Sequence, residues 1–425
     1  MMDAFSELDP IQLAVTASRQ TLRAWASDVD ARNRFPHESI EALRQLGLLT
    51  YFIPRANGGP TDFVTYCSIA AILAEECLSS ALIWAMHCQQ VAILVDHGGL
   101  EHKHVLDEVE RTGALIASVT TEAGKGGDLL TARAPLLPED DRVRVRRVSP
   151  IVSYAEHAAF FLLTMRAAED RHEHDVRLVL VVREDAGMTV TGDWNAMGAR
   201  GTRSVPVTFD LLVDNNRVFK KPFRQIAVQT MIPAAHLGWS AVWYGAARGA
   251  FRRFVGQLRQ PENKSRAQLQ SDLFLSRLAD LRVSLDLMDS MITQAAARID
   301  SLRHSNADVA SYESLTLNIS LNNVKIAVSR LAFELVDRLV ELCGLAQGYM
   351  KNTALDVERL FRDLRSATLM YHNDRLLGAN GKLILVENSG AEAIWRCPDE
   401  TVAKDMEHRD TASMRGEPVQ GKDRS

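Results

Sequence analysis

The feature that most constrains this chain is a change of hydrophobic period that happens twice. From residue 10 to about 112, apolar residues recur at helical spacing; from about 114 to 220 they fall in short β-branched runs; from about 232 to 386 the helical spacing returns. That order predicts an α+β multidomain protein. Its parts are an N-terminal α-helical domain over 1–113, a central β-domain over 114–225, a C-terminal helical bundle over 226–390 and a polar tail over 391–425. A length of 425 residues suits two to three domains.

In the first part, Ile11, Val15, Leu22 and Trp25 share a broad helical face. Phe35-Pro36-His37-Glu38 opens a helix with Ile40, Leu43 and Leu46 as its buried side. Pro54, Gly58, Gly59 and Pro60 are breakers, after which a long apolar helix is expected from about Phe63 to His87. The β-domain is expected to hold about six to eight strands, with a charged hairpin loop at AAEDRHEHD and a solvated face on the alternating run Arg142 to Arg147. Beyond it, helices are expected at 235–258, 312–343 and 353–386, together with one in which Leu278, Leu281, Leu285, Met288, Ile292 and Ala296 follow helical spacing. Long amphipathic helices in series point to an antiparallel bundle.

Charge and cysteine usage narrow the function classes. Lys plus Arg total 49 against 54 for Asp plus Glu, a net charge of -5, which gives no general reason to expect nucleic acid or an anionic membrane as partner. No apolar run of about 18 residues marks a membrane span, and the acidic N-terminus lacks the layout of a signal peptide. Cys67, Cys77, Cys88, Cys343 and Cys397 are scattered and odd in number, so reduced thiols in a cytoplasmic protein are expected. No HExxH, paired CxxC or repeated Glu-x-x-His motif is present, so no metal site is expected.

The most informative segment is Val119-Thr120-Thr121-Glu122-Ala123-Gly124-Lys125-Gly126-Gly127-Asp128. Three glycines in four residues let the backbone approach a ligand closely, and their amides can cradle an anion. Thr121 and Glu122 at a strand end can hydrogen-bond a planar heterocycle. A glycine-rich hairpin without a ligand is the alternative.

This segment resembles the TEPGxGSD signature of the acyl-CoA dehydrogenase superfamily, and three more segments match in order. Phe35-Pro36 through Pro54, Gly58 and Gly59 resembles the family's opening. Met197-Gly198-Ala199-Arg200-Gly201-Thr202-Arg203-Ser204 with Phe209 is similar to its MGxRGTxS strand. Cys343-Gly344 to Tyr349 with Val357 to Asp363 is similar to its GGxGY and ERLxRD segments.

The resemblance implies an N-terminal α-domain, a central β-domain and a C-terminal four-helix bundle, with flavin (FAD) at their junction, in a homodimer or homotetramer. It implies flavin contacts at Ser118, Thr120, Thr121, Gly126, Ile151, Ser153 and Gly344, with Ile151 where the family usually has a ring-covering Trp. It places Gly127, with Arg200, toward the substrate, while His87 near the end of an apolar helix is either a substrate contact or a satisfied core histidine. Arg362 and Asp363 are expected to form a structural ion pair.

Two departures stand out. The family's Glu base, eight residues after the RD pair, is replaced by Tyr371, and no Glu lies between Asp363 and Glu387. His372, Tyr371 and Asp374 are therefore the catalytic candidates, with His372 and Asp374 as helix caps the alternative. The family's RxxFG arginine aligns with Pro261, leaving Arg259 or Lys264 to grip the pyrophosphate, or a site for FMN or for reduced flavin from a reductase.

Three functions follow from this pattern. The first is a flavin-dependent oxidoreductase desaturating an acyl thioester on CoA or a carrier protein, with an electron-transfer partner. The second is a reduced-flavin-dependent monooxygenase served by a flavin reductase, and the third a non-catalytic flavin-fold protein.

Overall fold

The computed structural model describes residues 9–54, 61–125, 127–263 and 267–386. The loop breakers Gly58, Gly59 and Pro60, the residues Gly126, Lys264 and Ser265, and the polar tail with Cys397 lie outside the described residues.

Six α-helices come first: α1 (Pro10–Ala17), α2 (Arg23–Arg32), α3 (His37–Gln45), α4 (Phe63–Ala74), α5 (Leu78–His97) and α6 (Lys103–Thr112). A π-turn at Ser18–Leu22 joins α1 to α2 and rotates the apolar stripe, so Leu13, Ala14 and Ala17 are buried while Trp25 is 40% exposed against Arg34. The single apolar helix expected over 63–87 is instead two, α4 and α5. The break falls where Glu75 ends α4: its carboxylate is held by Arg248 and Arg252 and its carbonyl by Arg253. Cys77 is extended there (φ -145°), and α5 starts afresh. By length and composition α5 is apolar enough to cross a membrane, but 94% of its apolar window is buried inside the protein.

Seven strands follow in two sheets. β1 (Ile116–Val119) lies parallel to β4 (Phe160–Arg166), which pairs with β5 (Val176–Val182); β2 (Leu136–Glu139), β3 (Arg142–Val152), β7 (Val205–Asp214) and β6 (Met188–Val190) form an antiparallel sheet in that order. The charged stretch after Arg166 is the β4–β5 hairpin loop. Arg142, Arg144 and Arg146 face outward as expected. Arg147 does not: it is 2% exposed, whereas Val148 is 49% exposed.

The C-terminal part opens with α7 (Phe223–Ile226) and continues through α8 (Ile232–Leu258), α9 (Asp272–His304), α10 (Val309–Tyr312) and α11 (Leu315–Gly344) to α12 (Val357–Arg365) and α13 (Asn373–Ile384). Leu281, Leu285, Met288, Ile292 and Ala296 of α9 are buried, and Leu278 is partly so. α8, α9 and α11 pack on one another, and α12 and α13 share the fourth position of the bundle against α11. The single helix expected over 353–386 is thus broken at 366–372, a turn fixed from outside its own sequence by Lys325.

These parts share one core. α4 packs along α8, where a Cβ at Gly245 would stand 2.1 Å from the Ala71 carbonyl oxygen. Asp300 of α9 accepts the amides of Phe63 at 2.7 Å and Val64 at 3.1 Å, tying the bundle to the start of α4.

Candidate active site

β1 ends at Val119 and β3 runs past it, which brings the two strand ends side by side. The Thr121 hydroxyl donates to the Ile151 carbonyl at 2.7 Å, and the Ala123 amide donates to Val148 at 3.1 Å. Ser118, Thr120, Thr121 and Ser153 are half-buried here, and Ile151 is 47% exposed beside them. Ser153 shares a hydrogen bond of 2.9 Å with Ser204, which shares another with Thr202. The result is a platform of fixed hydroxyls edged by apolar surface.

The platform rests on a buried cation. Arg147 donates to the Thr121 carbonyl at 2.7 Å and to the Thr164 hydroxyl at 3.1 Å, and its Nε has no partner. Burial lowers its pKa to about 10, with Glu122 acting the other way. Glu122 is spent on structure: its carboxylate accepts the amides of Arg133 at 2.9 Å and Ala134 at 2.6 Å.

The opposite wall is the turn between α12 and α13. Tyr371 sits there with φ +48°, and its phenol takes a backbone hydrogen bond from Leu129, close to Asp128 and Arg375. Burial first, then Asp128, pushes that phenol up to about 12. Gly127 faces the same turn: a Cβ there would lie 3.6 Å from Arg375 Nε. The glycine-rich loop and the Tyr371 turn therefore form one site at the junction of β-domain and bundle.

Two residues that sequence reasoning missed hold this wall. Lys325 of α11 is fully buried and donates to the carbonyls of Ala367 at 3.2 Å and Tyr371 at 3.0 Å and to Asn373 Oδ1 at 2.7 Å. Desolvation lowers its pKa to about 7. His236 of α8 lies 5.7 Å from the Tyr371 ring, and burial, then Lys325, lowers its pKa to about 3, so it is neutral. Its Nδ1 has no partner, nor do the nearby helix residues Ser240 and Trp243 at Oγ and Nε1. A lysine in an apolar stripe was the only sequence signal for either.

The other candidates are placed elsewhere. His372 caps α13: its Nδ1 accepts the Asp374 amide at 3.3 Å, its side chain is 49% exposed and that of Asp374 is 81% exposed. His87 is a core histidine rather than a substrate contact, because its Nε2 meets the Leu49 carbonyl at 2.8 Å and its Nδ1 accepts the Ile116 amide at 3.1 Å. Arg200 is turned to the N-terminal domain, donating to Asp30 O at 2.8 Å and Ala196 O at 3.1 Å, and not to the platform. Gly344 lies at the far end of α11, φ +67°, with open space around it. Arg362 and Asp363 do not pair with each other. Arg362 binds Asp30 and Glu358, while Asp363 accepts the Ala199 amide at 2.7 Å.

A flavin ring fits the platform, whose half-buried hydroxyls and exposed apolar edge match a planar polar heterocycle. The pyrophosphate end fits less well. Pro261 holds the position where the resemblance expects an arginine, and Asn263 is turned back to the Gln257 carbonyl at 2.7 Å.

Comparison with known proteins agrees with this geometry. Residues 12–128 match the acyl-CoA dehydrogenase N-terminal domain and residues 226–371 the acyl-CoA dehydrogenase C-terminal domain. Cyclohexane-1-carbonyl-CoA dehydrogenase of Geobacter metallireducens is 23% identical over 361 residues, covering 82% of this chain and 89% of that protein. L-evernosamine nitrososynthase of a Micromonospora species is 26% identical over 377 residues, covering 82% and 83%. The FMN-bound structure of TdsC from Paenibacillus sp. A11-2 superposes with a TM-score of 0.79 at 19% identity, covering 91% of this chain and all of that one.

Proposed function

Since the chain belongs to the acyl-CoA dehydrogenase superfamily of flavin-dependent oxidoreductases, we propose that it is an oxygenase of that superfamily, using reduced flavin delivered by a separate reductase. The observation that carries this reading is Tyr371. Desaturating a thioester needs a base able to remove an α-proton near neutral pH. With a pKa pushed up to about 12, the phenol is ionised to only about one part in 10⁵ at pH 7. A phenol so placed donates a hydrogen bond and does not abstract a proton.

Bound reduced flavin supplies the two electrons with which one oxygen atom of O₂ enters the substrate and the other leaves as water. In this reading Thr121 and Ser153 orient the ring, and Ile151 shields its face from water. The Tyr371 hydroxyl donates toward the reacting oxygen, and neutral His236 supports the ring of Tyr371. Pro261 in place of the pyrophosphate arginine suits a flavin that exchanges with solution. The similarity to a nitrososynthase and to TdsC supports the same direction.

Desaturation of an acyl thioester is the second reading. Asp128 favours it as the carboxylate whose charge reaches Tyr371, although its Oδ1 is engaged by the Leu130 amide at 2.9 Å. Supplying the protein with a flavin reductase, labelled oxygen and a panel of amine, sulfur and aromatic substrates tests the choice. Label in an organic product is expected; oxygen consumed only to peroxide with every substrate refutes the oxygenase reading.

A further inference from the structure

Two arginines stand against the two described glycines that have positive φ in the glycine-rich loop. A Cβ at Gly124 (φ +74°) would lie 3.0 Å from Arg133 Nη1, and one at Gly127 (φ +83°) would lie 3.6 Å from Arg375 Nε and 3.8 Å from its Cζ. Neither guanidinium has a hydrogen-bond or ion-pair partner among the described residues. The carboxylates nearest them are already engaged, Glu122 by the Arg133 and Ala134 amides and Asp128 by Leu130.

Beneath the loop lie two more cations, Lys125 and the fully buried Arg147 with its unpartnered Nε. Lys125 Nζ reaches the Thr120 carbonyl at 3.4 Å. Burial, then repulsion from Arg147, holds its pKa down at about 8, and Arg375 adds to that repulsion. Four cations converge on a stretch of backbone that two glycines leave bare, at the start of the twelve-residue helix α13. Such a set is stabilised by an anion with several acceptor oxygens.

We infer that the loop over Gly124 to Gly127, closed by Arg375 from the bundle and Arg133 from the β-domain, is a phosphate-ester site within a single chain. It replaces the arginine that the pyrophosphate motif would have supplied at Pro261. The inference rests on the flavin reading for its first source of phosphate, the terminal phosphate of FMN; a phosphorylated substrate is the second source. Arg375 is the principal ligand, because its planar fork lies over the bare face of Gly127 and matches two phosphate oxygens.

The test uses the full-length protein freed of flavin, titrated with FMN and with riboflavin by fluorescence quenching, with thermal unfolding in inorganic phosphate alongside. FMN is expected to bind at least about tenfold more tightly than riboflavin. Arg375→Gln is expected to abolish that preference while leaving riboflavin affinity unchanged, and Arg375→Lys to retain part of it. Arg259→Gln, at the end of α8, is expected to change neither.

Equal binding of the two flavins, with phosphate raising the unfolding midpoint in wild type but not in Arg375→Gln, assigns the same site to a phosphorylated substrate. A preference for FMN that survives Arg375→Gln, or that disappears in Arg259→Gln, overturns the inference. So does an absence of both the preference and the phosphate protection. Failure of both flavins to bind would instead remove the flavin reading, and the phosphate protection would still decide the site.

Discussion

Tyr371 and His372 are neighbours with opposite fates. A positive φ at Tyr371 turns its ring inward against His236 and the glycine-rich loop, which leaves His372 outside as the cap of α13. Substituting His372 by Ala should therefore cost about 0.5–1 kcal/mol of stability and little turnover. Tyr371→Phe, with the ring kept and the hydroxyl removed, should lower the rate of oxygen transfer about tenfold or more with flavin affinity intact. Steady-state rates and flavin titration on both variants check this.

The position of Tyr371 was legible by counting from Asp363; its inward turn was not, because Lys325 on a distant helix imposes it. Arg147 was misread for a related reason. Alternation predicts its exposure, and the bulge between Ser149 and Val152 lies just beyond it on β3.

Buried histidines also set the acid limit. Burial lowers His87 to about 4 and His236 to about 3, whereas in the unfolded chain each titrates near 6.5. As pH falls below about 6.5 the unfolded state takes up protons that the folded state refuses, so stability falls, by about 2–3 kcal/mol per histidine by pH 4.5. Asp363, raised to about 6 by burial, holds its proton longer when folded and offsets part of that loss. The unfolding midpoint should drop between pH 6.5 and 4.5, and His87→Gln should flatten the drop.

At the scale of elements, the strands were legible and the helix breaks were not. Period-two runs bounded by turn residues marked the β-domain, which the two sheets occupy. The breaks between α4 and α5 and between α12 and α13 depend on tertiary partners: three arginines of α8 around Glu75, and Lys325 around the Tyr371 turn. Replacing Lys325 by Met leaves the Ala367 and Tyr371 carbonyls and the Asn373 side chain without their donor. We expect a loss of about 2 kcal/mol in chemical denaturation, and with it a weaker Tyr371–loop contact, read as faster backbone hydrogen exchange at 366–372.

At the scale of the whole molecule, the site exists because three parts are clamped together. Arg362 of α12 binds Asp30 of α2 at 2.6 Å, Asp363 beside it accepts Ala199 of the β-domain, and Arg200 reaches the Asp30 carbonyl. The motif order in the sequence disclosed the domains; which residues join them could be read only in three dimensions. The outer surface carries Leu273, Leu275, Val283 and Leu287 on α9 and Leu345, Tyr349 and Met350 after α11, all exposed. Sedimentation should therefore find a homodimer or homotetramer, and a monomer at micromolar concentration would contradict this.

The central claim is that a tyrosine stands where thioester desaturation needs a base. Flavin-loaded protein should be mixed without oxygen with saturated acyl-CoA thioesters of increasing chain length while flavin absorbance is followed. Persistence of the oxidised-flavin band is predicted for the wild type, with bleaching gained by Tyr371→Glu. Rapid bleaching of the wild type by any of these thioesters would contradict the account.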